Sequence, residues 1–238
     1  MHGGDRMENQ IVKPSILPGF MELLPTDQIL FNNMLDTIRK NYERFGFLPI
    51  DTPTIEKSEI LLAKGGGDTE KQIYRFTKGD SDLSLRFDLT VPLARYVSQH
   101  FSELTFPFRR YHIGKVFRGE RNQRGRFREF YQCDIDIIGD PSTDAEIELI
   151  HTTAKTLIEL GFEGFTVRIN DRQILFDIIE SAGFSKEDVL SVCISFDKLD
   201  KVGVEGVKKE LLDKGFPTYA IEKFIDIISA DETLGLLA

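Results

Sequence analysis

The sequence predicts an α+β fold, an antiparallel sheet flanked by helices, and three observations predict it. Apolar residues recur at helical spacing early in the chain, at Phe31, Met34, Leu35, Ile38, Tyr42 and Phe45. The strand-like runs then come as adjacent pairs, 73–77 with 83–87 and 111–118 with 130–138. The order is helix, strands, helix, strands, helix, strand, helices, which lacks the regular β-α alternation of a doubly wound sheet.

Taken in order, residues 1–13 are polar and expected to be a flexible N-terminus. Pro14, Pro18, Gly19 and Pro25 punctuate an irregular entry. A helix follows from Asp27 and is stopped by Gly46. Residues 47–50 read as a short strand, ended by Asp51 and Pro53. The stretch KGGGDTEK, 64–71, reads as a mobile loop. A Gly79-Asp80 turn joins the first strand pair. Residues 90–100 form a helix with Pro92 in its first turn. The arginine-rich stretch 119–128 joins the second strand pair as a long hairpin loop.

Thr143-Asp-Ala-Glu146 has the pattern of a capping box. The helix it opens presents Ile147, Ile150, Ala154, Leu157 and Ile158 as its packing face. Residues 165–169 read as a strand and 172–181 as a helix. Beyond Gly183 the chain reads as helical and charged, with 192–195 the one strand candidate. This divides the chain into a core over 14–183 and a helical segment over 184–238.

Composition bounds the function. The chain has 238 residues, 41% hydrophobic and 29% charged, which excludes a disordered chain and supplies a packed core. No apolar run reaches the roughly 18 residues that span a bilayer. The start MHGGDRMENQ lacks the apolar centre of a secretory signal. Cys133 and Cys193 make neither a disulfide framework nor a metal-ligand spacing, so no metal site is expected and a cytoplasmic setting fits. Net charge is −9, which argues against non-specific nucleic-acid binding by the whole chain. Yet residues 108–128 hold seven arginines and one lysine against one glutamate, Glu120. An acidic chain that concentrates arginine so locally is suited to binding an anion there.

Arg118 and Glu120 lie two residues apart and share a face in an extended segment. Arginine offers a fork to phosphate or carboxylate, and glutamate accepts from an amine. Arg126 and Arg128 again share a face, and a hairpin loop folds them back over whatever Arg118 holds. That is a polyphosphate clamp, or else a solvated basic loop that balances an acidic chain. On the returning strand Gln132, Asp134 and Asp136 alternate with Cys133, Ile135 and Ile137, a polar face against a core face. Asp88 and Thr90 add a carboxylate and a hydroxyl at a strand end. Together they suggest a site for an amine beside a site for a nucleotide. The glycine-rich loop has neither G-x-G-x-x-G nor a following Lys-Ser/Thr, so Rossmann and P-loop readings fail.

At these residues a family becomes visible. PGFMELLP followed by KNYERFGFLPIDTPTIE resembles motif 1 of the class II aminoacyl-tRNA synthetases, with Pro53 as its proline. FRGERNQRGRFREFYQCDIDIIG closely resembles motif 2 of the histidyl-tRNA synthetases, and LRFDLTVPLARYV their first histidine-binding segment. INDRQIL and SFDKLDKVG are similar to later parts of the same family, so the resemblance covers 14–215.

The resemblance implies roles. Arg118 would hold the ATP α-phosphate and the amino-acid carboxylate, stabilising the transition state of adenylate formation. Glu120 would accept from the adenine amino group, and Arg126 would hold the γ-phosphate. Asp88, Thr90 and Gln132 would bind the α-ammonium of histidine, and Asp136 its imidazole. Mg²⁺ would bridge the phosphates. The partners implied are histidine, ATP, tRNA(His) and a second copy of the chain docked through motif 1. His112 reads better as a neutral core or interface histidine, Cys133 as core, and His151 as solvent or interface. Arg128 either touches substrate or braces the loop.

The family also has a second histidine segment, a motif 3 and an anticodon-binding domain, which this sequence does not match. The expectation is therefore a class II synthetase-like core that is incomplete, with a partial helical insertion, supplying one wall of an active site and little turnover alone. A regulatory subunit of ATP phosphoribosyltransferase and a synthetase-like sensor of uncharged tRNA share this fold. Neither needs the clamp of Arg118, Glu120 and Arg126 that is present here.

Overall fold

The computed structural model describes residues 12–63, 68–121, 123–169 and 171–234. Most of the expected flexible terminus (1–11) and residues 64–67 of the expected loop lie outside them. The chain divides into two compact units, Met1–Glu163 and Gly164–Ala238.

The first unit begins with α1 (Pro25–Arg44), with Pro25 in its first turn and Gly46 in the left-handed region just past its end. Then come β1 (Leu48–Pro49), β2 (Ile55–Lys57), α2 (Ser58–Leu61) and α3 (Asp68–Gln72). The helical turn of α3 replaces the second half of the loop expected over 64–71. Next are β3 (Arg75–Lys78), β4 (Ser81–Leu85) and α4 (Thr90–Gln99), followed by β5 (Phe108–Phe117), β6 (Glu129–Ile138) and α5 (Thr143–Glu159).

Two three-stranded sheets form, in the orders β1-β5-β6 and β2-β4-β3. All pairings are antiparallel except β1 with β5. The β5–β6 hairpin runs in unbroken register from Phe108 opposite Ile138 to Phe117 opposite Glu129. Its alternation works as the sequence implies. Tyr111, Ile113, Cys133, Ile135 and Ile137 pack with Ile38, Tyr42 and Phe45 of the α1 region, Phe47, and Leu149 of α5. The opposite face carries Arg110, His112, Gly114, Gln132, Asp134 and Asp136, paired across the two strands.

Three expectations for this part of the chain fail. The capping box does not form: Ser142, not Thr143, is the N-cap of α5, and no side chain caps it. Asp140 Oδ1 accepts from the Ser142 N–H at 2.9 Å, and this turn sets the helix start one residue earlier. The packing face of α5 is also different, with Ala145, Thr152 and Thr156 buried and Ile147 and Ile158 exposed by 58% and 55%. A polar contact decides it: buried Asn41 of α1 donates to Thr156 Oγ1 at 3.0 Å, and Thr156 donates to the Thr152 carbonyl at 2.7 Å. Residues 165–169, at the start of the second unit, form no strand, because no other segment among the described residues pairs with them.

The second unit holds α6 (Arg172–Ala182), α7 (Val189–Phe196), α8 (Leu199–Asp213) and α9 (Thr218–Leu234). The strand candidate 192–195 lies within α7. Asp171 caps α6 by accepting from the Gln173 N–H at 2.7 Å, and Gly183 ends it with φ 109°. Gly203 interrupts α8 at φ 69°. Phe224, Ile221, Val207, Leu211, Val192 and Ile179 form the centre of the core. Because α6 supplies Ile179 and Ala182 to this core, the division of the chain falls ahead of α6 rather than near 184. Among the described residues no helix is long and apolar enough to cross a membrane.

Candidate active site

The loop between β5 and β6 is held at both roots by backbone hydrogen bonds. Arg118 N donates to Arg128 O at 2.9 Å, closing the hairpin one step beyond the strands. Gly119 N donates to Gln72 O at 2.7 Å, and Arg128 N donates to Gly19 O at 2.7 Å. Segments distant in sequence therefore anchor the arginine loop. At its tip Arg126 N donates to Gln123 O at 3.0 Å.

Arg118, Glu120, Gly125, Arg126, Phe127 and Phe130 line a cavity of about 330 Å³. The Arg118 guanidinium lies over the Phe87 ring at 4.4 Å and over the Phe130 ring at 5.1 Å, and its Nε donates to Phe87 O at 3.3 Å. Stacking on two rings fixes the plane of the fork while leaving Nη1 and Nη2 to meet an anion. Arg126 Nη1 stands 3.3 Å from Glu120 Oε2, with the arginine side chain 66% exposed. Arg128 is spent on the backbone: its Nε donates to Glu120 O at 3.0 Å and its Nη1 to Pro18 O at 3.3 Å. Of its two readings, bracing the loop is what these contacts describe.

The polar face of the hairpin continues from this cavity. Arg110 and Asp136 form an ion pair across the strands. Burial holds the Asp136 carboxyl above the ordinary value, and Arg110 offsets this only in part. Burial likewise pushes Asp134 up; Arg110 and Arg118 oppose this, and Asp136 and Asp88 add to it. Asp134 is thus the point at which Asp88, Arg118, Arg110 and Asp136 all act. Gln132 Oε1 is buried without a hydrogen-bond partner among the described residues, so its acceptor is available. Asp88 Oδ1 accepts from Thr90 N at 3.1 Å and Val91 N at 2.9 Å, bonding the first turn of α4. That turn carries the exposed Thr90.

The structure thus gathers Arg118, Glu120 and Arg126 around one cavity; Gln132 and Asp136 lie on the polar face of the hairpin, and Asp88 bonds the first turn of α4. Sequence reading passed over Arg110 and Arg86. Arg110 is 0% exposed on the same face as Asp136, and period-two alternation back from Arg118 would have placed it there. Arg86 is also buried, donating from Nε to Lys115 O and from Nη1 to Thr52 O, each at 2.7 Å. His112 is buried beside it, its Nε2 3.0 Å from Asp51 Oδ1, and burial together with Arg86 pushes its imidazole below the ordinary value. Burial pushes the Cys133 thiol up to about 11, so it is no nucleophile.

Comparison with known proteins bears on this arrangement. A family model described as histidyl-tRNA synthetase matches residues 19–227. A histidine–tRNA ligase of Clostridium tetani is 66% identical over 232 residues, covering 95% of this chain and 52% of that protein. The crystal structure of histidyl-tRNA synthetase from Nostoc sp. PCC 7120 superposes with a TM-score of 0.81 at 37% identity, covering 91% of this chain and 48% of that one. A protein from Bacillus halodurans C, described as an ATP phosphoribosyltransferase regulatory subunit/histidyl-tRNA synthetase, shares the fold at a TM-score of 0.77 and 21% identity. The chain spans about half the length of the curated relatives it matches. With the family match extending over most of its length, the chain belongs to the histidyl-tRNA synthetase family.

Proposed function

We propose that this chain carries the ATP-clamping and histidine-binding wall of a histidine–tRNA ligase. In the complete protein that wall serves ATP-dependent activation of histidine to histidyl-adenylate and transfer of the histidyl group to tRNA(His). The observation that carries the reading is the cavity in which a ring-stacked Arg118 faces Glu120 and Arg126.

The donor set fits a nucleotide triphosphate. Arg118 takes the α-phosphate and the substrate carboxylate, so its charge meets the negative charge that builds as the carboxylate oxygen attacks phosphorus and pyrophosphate departs. Glu120 accepts from the adenine amino group. Arg126 leaves Glu120 for the γ-phosphate; a 3.3 Å pair whose arginine is 66% exposed is worth about 1 kcal/mol, so the exchange costs little. Mg²⁺ would be carried on the phosphates and would offset their charge there.

Asp88, Thr90 and the open acceptor of Gln132 receive the α-ammonium, and Asp136 receives the imidazole. A second copy docks through α1 and β1, where Ile29, Leu30, Met34 and Leu48 are exposed. The cytoplasm is the compartment proposed, as suits two free cysteines. The ATP phosphoribosyltransferase regulatory reading has no use for the clamp.

Calorimetric titration with MgATP tests the clamp. Arg118→Ala is expected to weaken binding about a hundredfold and Arg126→Ala about tenfold, the range for charge-assisted hydrogen bonds. Arg126→Ala should leave thermal stability unchanged, since the Arg126 side chain is itself 66% exposed. Unchanged affinity in Arg118→Ala overturns the assignment. Histidine-dependent ATP–pyrophosphate exchange, on this chain and on one extended through the second histidine segment, tests the reaction. Exchange with histidine and no other amino acid supports it; no exchange in either folded protein removes it.

A further inference from the structure

Arg110 lies directly opposite Asp136 in the β5–β6 register, and the two side chains form an ion pair. The arginine is 0% exposed, yet its Nε and Nη1 have no hydrogen-bond partner among the described residues. A buried guanidinium with donors unspent is costly to maintain. What it supplies is a fixed positive charge beneath a half-exposed carboxylate.

The other charges on this face are few. On β6 there is Asp134, which feels Arg110, Asp136, Asp88 and Arg118. On β5 there is His112, disfavoured as a cation by burial, Arg86 and Arg110, and paired with Asp51. Nearest to Asp136 the charge is that of Arg110.

We infer that Arg110 is a specificity-determining positioning residue, which neutralises Asp136 so that this face of the hairpin takes a polar, uncharged side chain and rejects a cationic one. The inference rests on the reading that Asp136 meets the substrate's imidazole. A carboxylate alone attracts a cation and raises the pKa of a ring bound to it. Paired with Arg110, Asp136 has no net charge of its own to offer. Asp136 still accepts a hydrogen bond from a ring N–H, so a neutral imidazole satisfies it. A protonated ring, or a lysine or arginine side chain, meets the like charge of Arg110 in a poorly solvated place. The pair therefore separates histidine from the larger basic amino acids, and the neutral ring from its protonated form.

Histidine binding to this chain, followed by NMR chemical shifts from about pH 7.5 to about pH 5, tests this against β-(1,2,4-triazol-3-yl)alanine, whose ring stays neutral throughout. Histidine is expected to weaken about thirtyfold toward the acid end, following the neutral fraction of an ordinary imidazole. The triazole analogue should hold its affinity. In Arg110→Met the loss for histidine should shrink to about threefold or less, because the uncompensated carboxylate now holds the imidazolium. Arg110→Lys keeps the charge and should restore the original profile.

Parallel losses for both ligands in the unaltered protein would place the titration on Asp134 or Asp136 and overturn the inference, as would an unchanged profile in Arg110→Met. If Arg110→Met does not fold, the ligand comparison and Arg110→Lys still decide. Asp136→Asn separates the two levels: histidine affinity unchanged there removes Asp136 as the imidazole contact, whatever Arg110 does. No histidine binding to the unaltered chain overturns both.

Discussion

The side chain of Arg128 lies against the bare face of Gly19. A Cβ at Gly19 would sit 2.9 Å from both Cγ and Cδ of Arg128, and Gly19 already holds φ 85°. The same arginine binds back to Pro18 O, and its backbone N–H to Gly19 O. A proline-glycine turn ahead of α1 is thereby part of the arginine loop's mounting.

Gly19→Ala should loosen that mounting from both directions, since an alanine resists positive φ by about 1 kcal/mol and its methyl group displaces the Arg128 stem. The expected outcome is ATP affinity lowered about tenfold, with tryptic cleavage at Arg121 and Arg124 accelerated and the melting temperature nearly unchanged. Calorimetry and a timed digest measure both. Unaltered cleavage in the loop would show that the turn does not hold it.

How much of this was legible in the sequence depends on the kind of signal. The β5–β6 hairpin was readable because Cys133, Ile135 and Ile137 alternate with Gln132, Asp134 and Asp136, and strand periodicity maps directly onto two faces. The arginine loop was readable because like charges concentrate there. The face of α5 is not legible from its apolar residues, because the Asn41–Thr156 hydrogen bond turns another side of the helix toward α1. β2 is three residues long, too short for any periodicity. Arg86 and Arg110 were missed for a simpler reason: arginine ordinarily marks a surface, and only packing shows a buried one.

Gly114 gives the clearest test of that buried layer. A Cβ there would collide with Arg86 Nη2 and stand 3.1 Å from His112 Nε2. Arg86 has no room to retreat without giving up the carbonyls of Lys115 and Thr52. Gly114→Ala should therefore cost about 3 kcal/mol or more, the range for breaking a buried charged network. Urea unfolding measures it, with Gly125→Ala as a reference, since nothing lies within 4 Å of a Cβ at Gly125 and only its φ of 78° is strained. Equal losses for the two would mean that Arg86 yields freely.

His112 should make stability depend on pH, with a sign that follows from its surroundings. Burial and Arg86 hold its imidazole below the ordinary value, and Asp51 opposes them only in part. The unfolded chain titrates near the ordinary histidine value of about 6.5, so below that pH the unfolded state binds more protons than the folded one. The stability from a neutral His112 is therefore complete above about pH 7 and is lost on acidification, with a slope of at most about 1.4 kcal/mol per pH unit. Asp134 and Asp136 have the opposite sign, because burial raises their carboxyls and acid favours the folded state through them. Comparing His112→Gln with the unaltered chain cancels that contribution, since both keep the two aspartates. Urea midpoints measured from about pH 7.5 to about pH 5 should fall more gently in the variant. Parallel curves would mean that His112 titrates as freely in the folded chain as in the unfolded one.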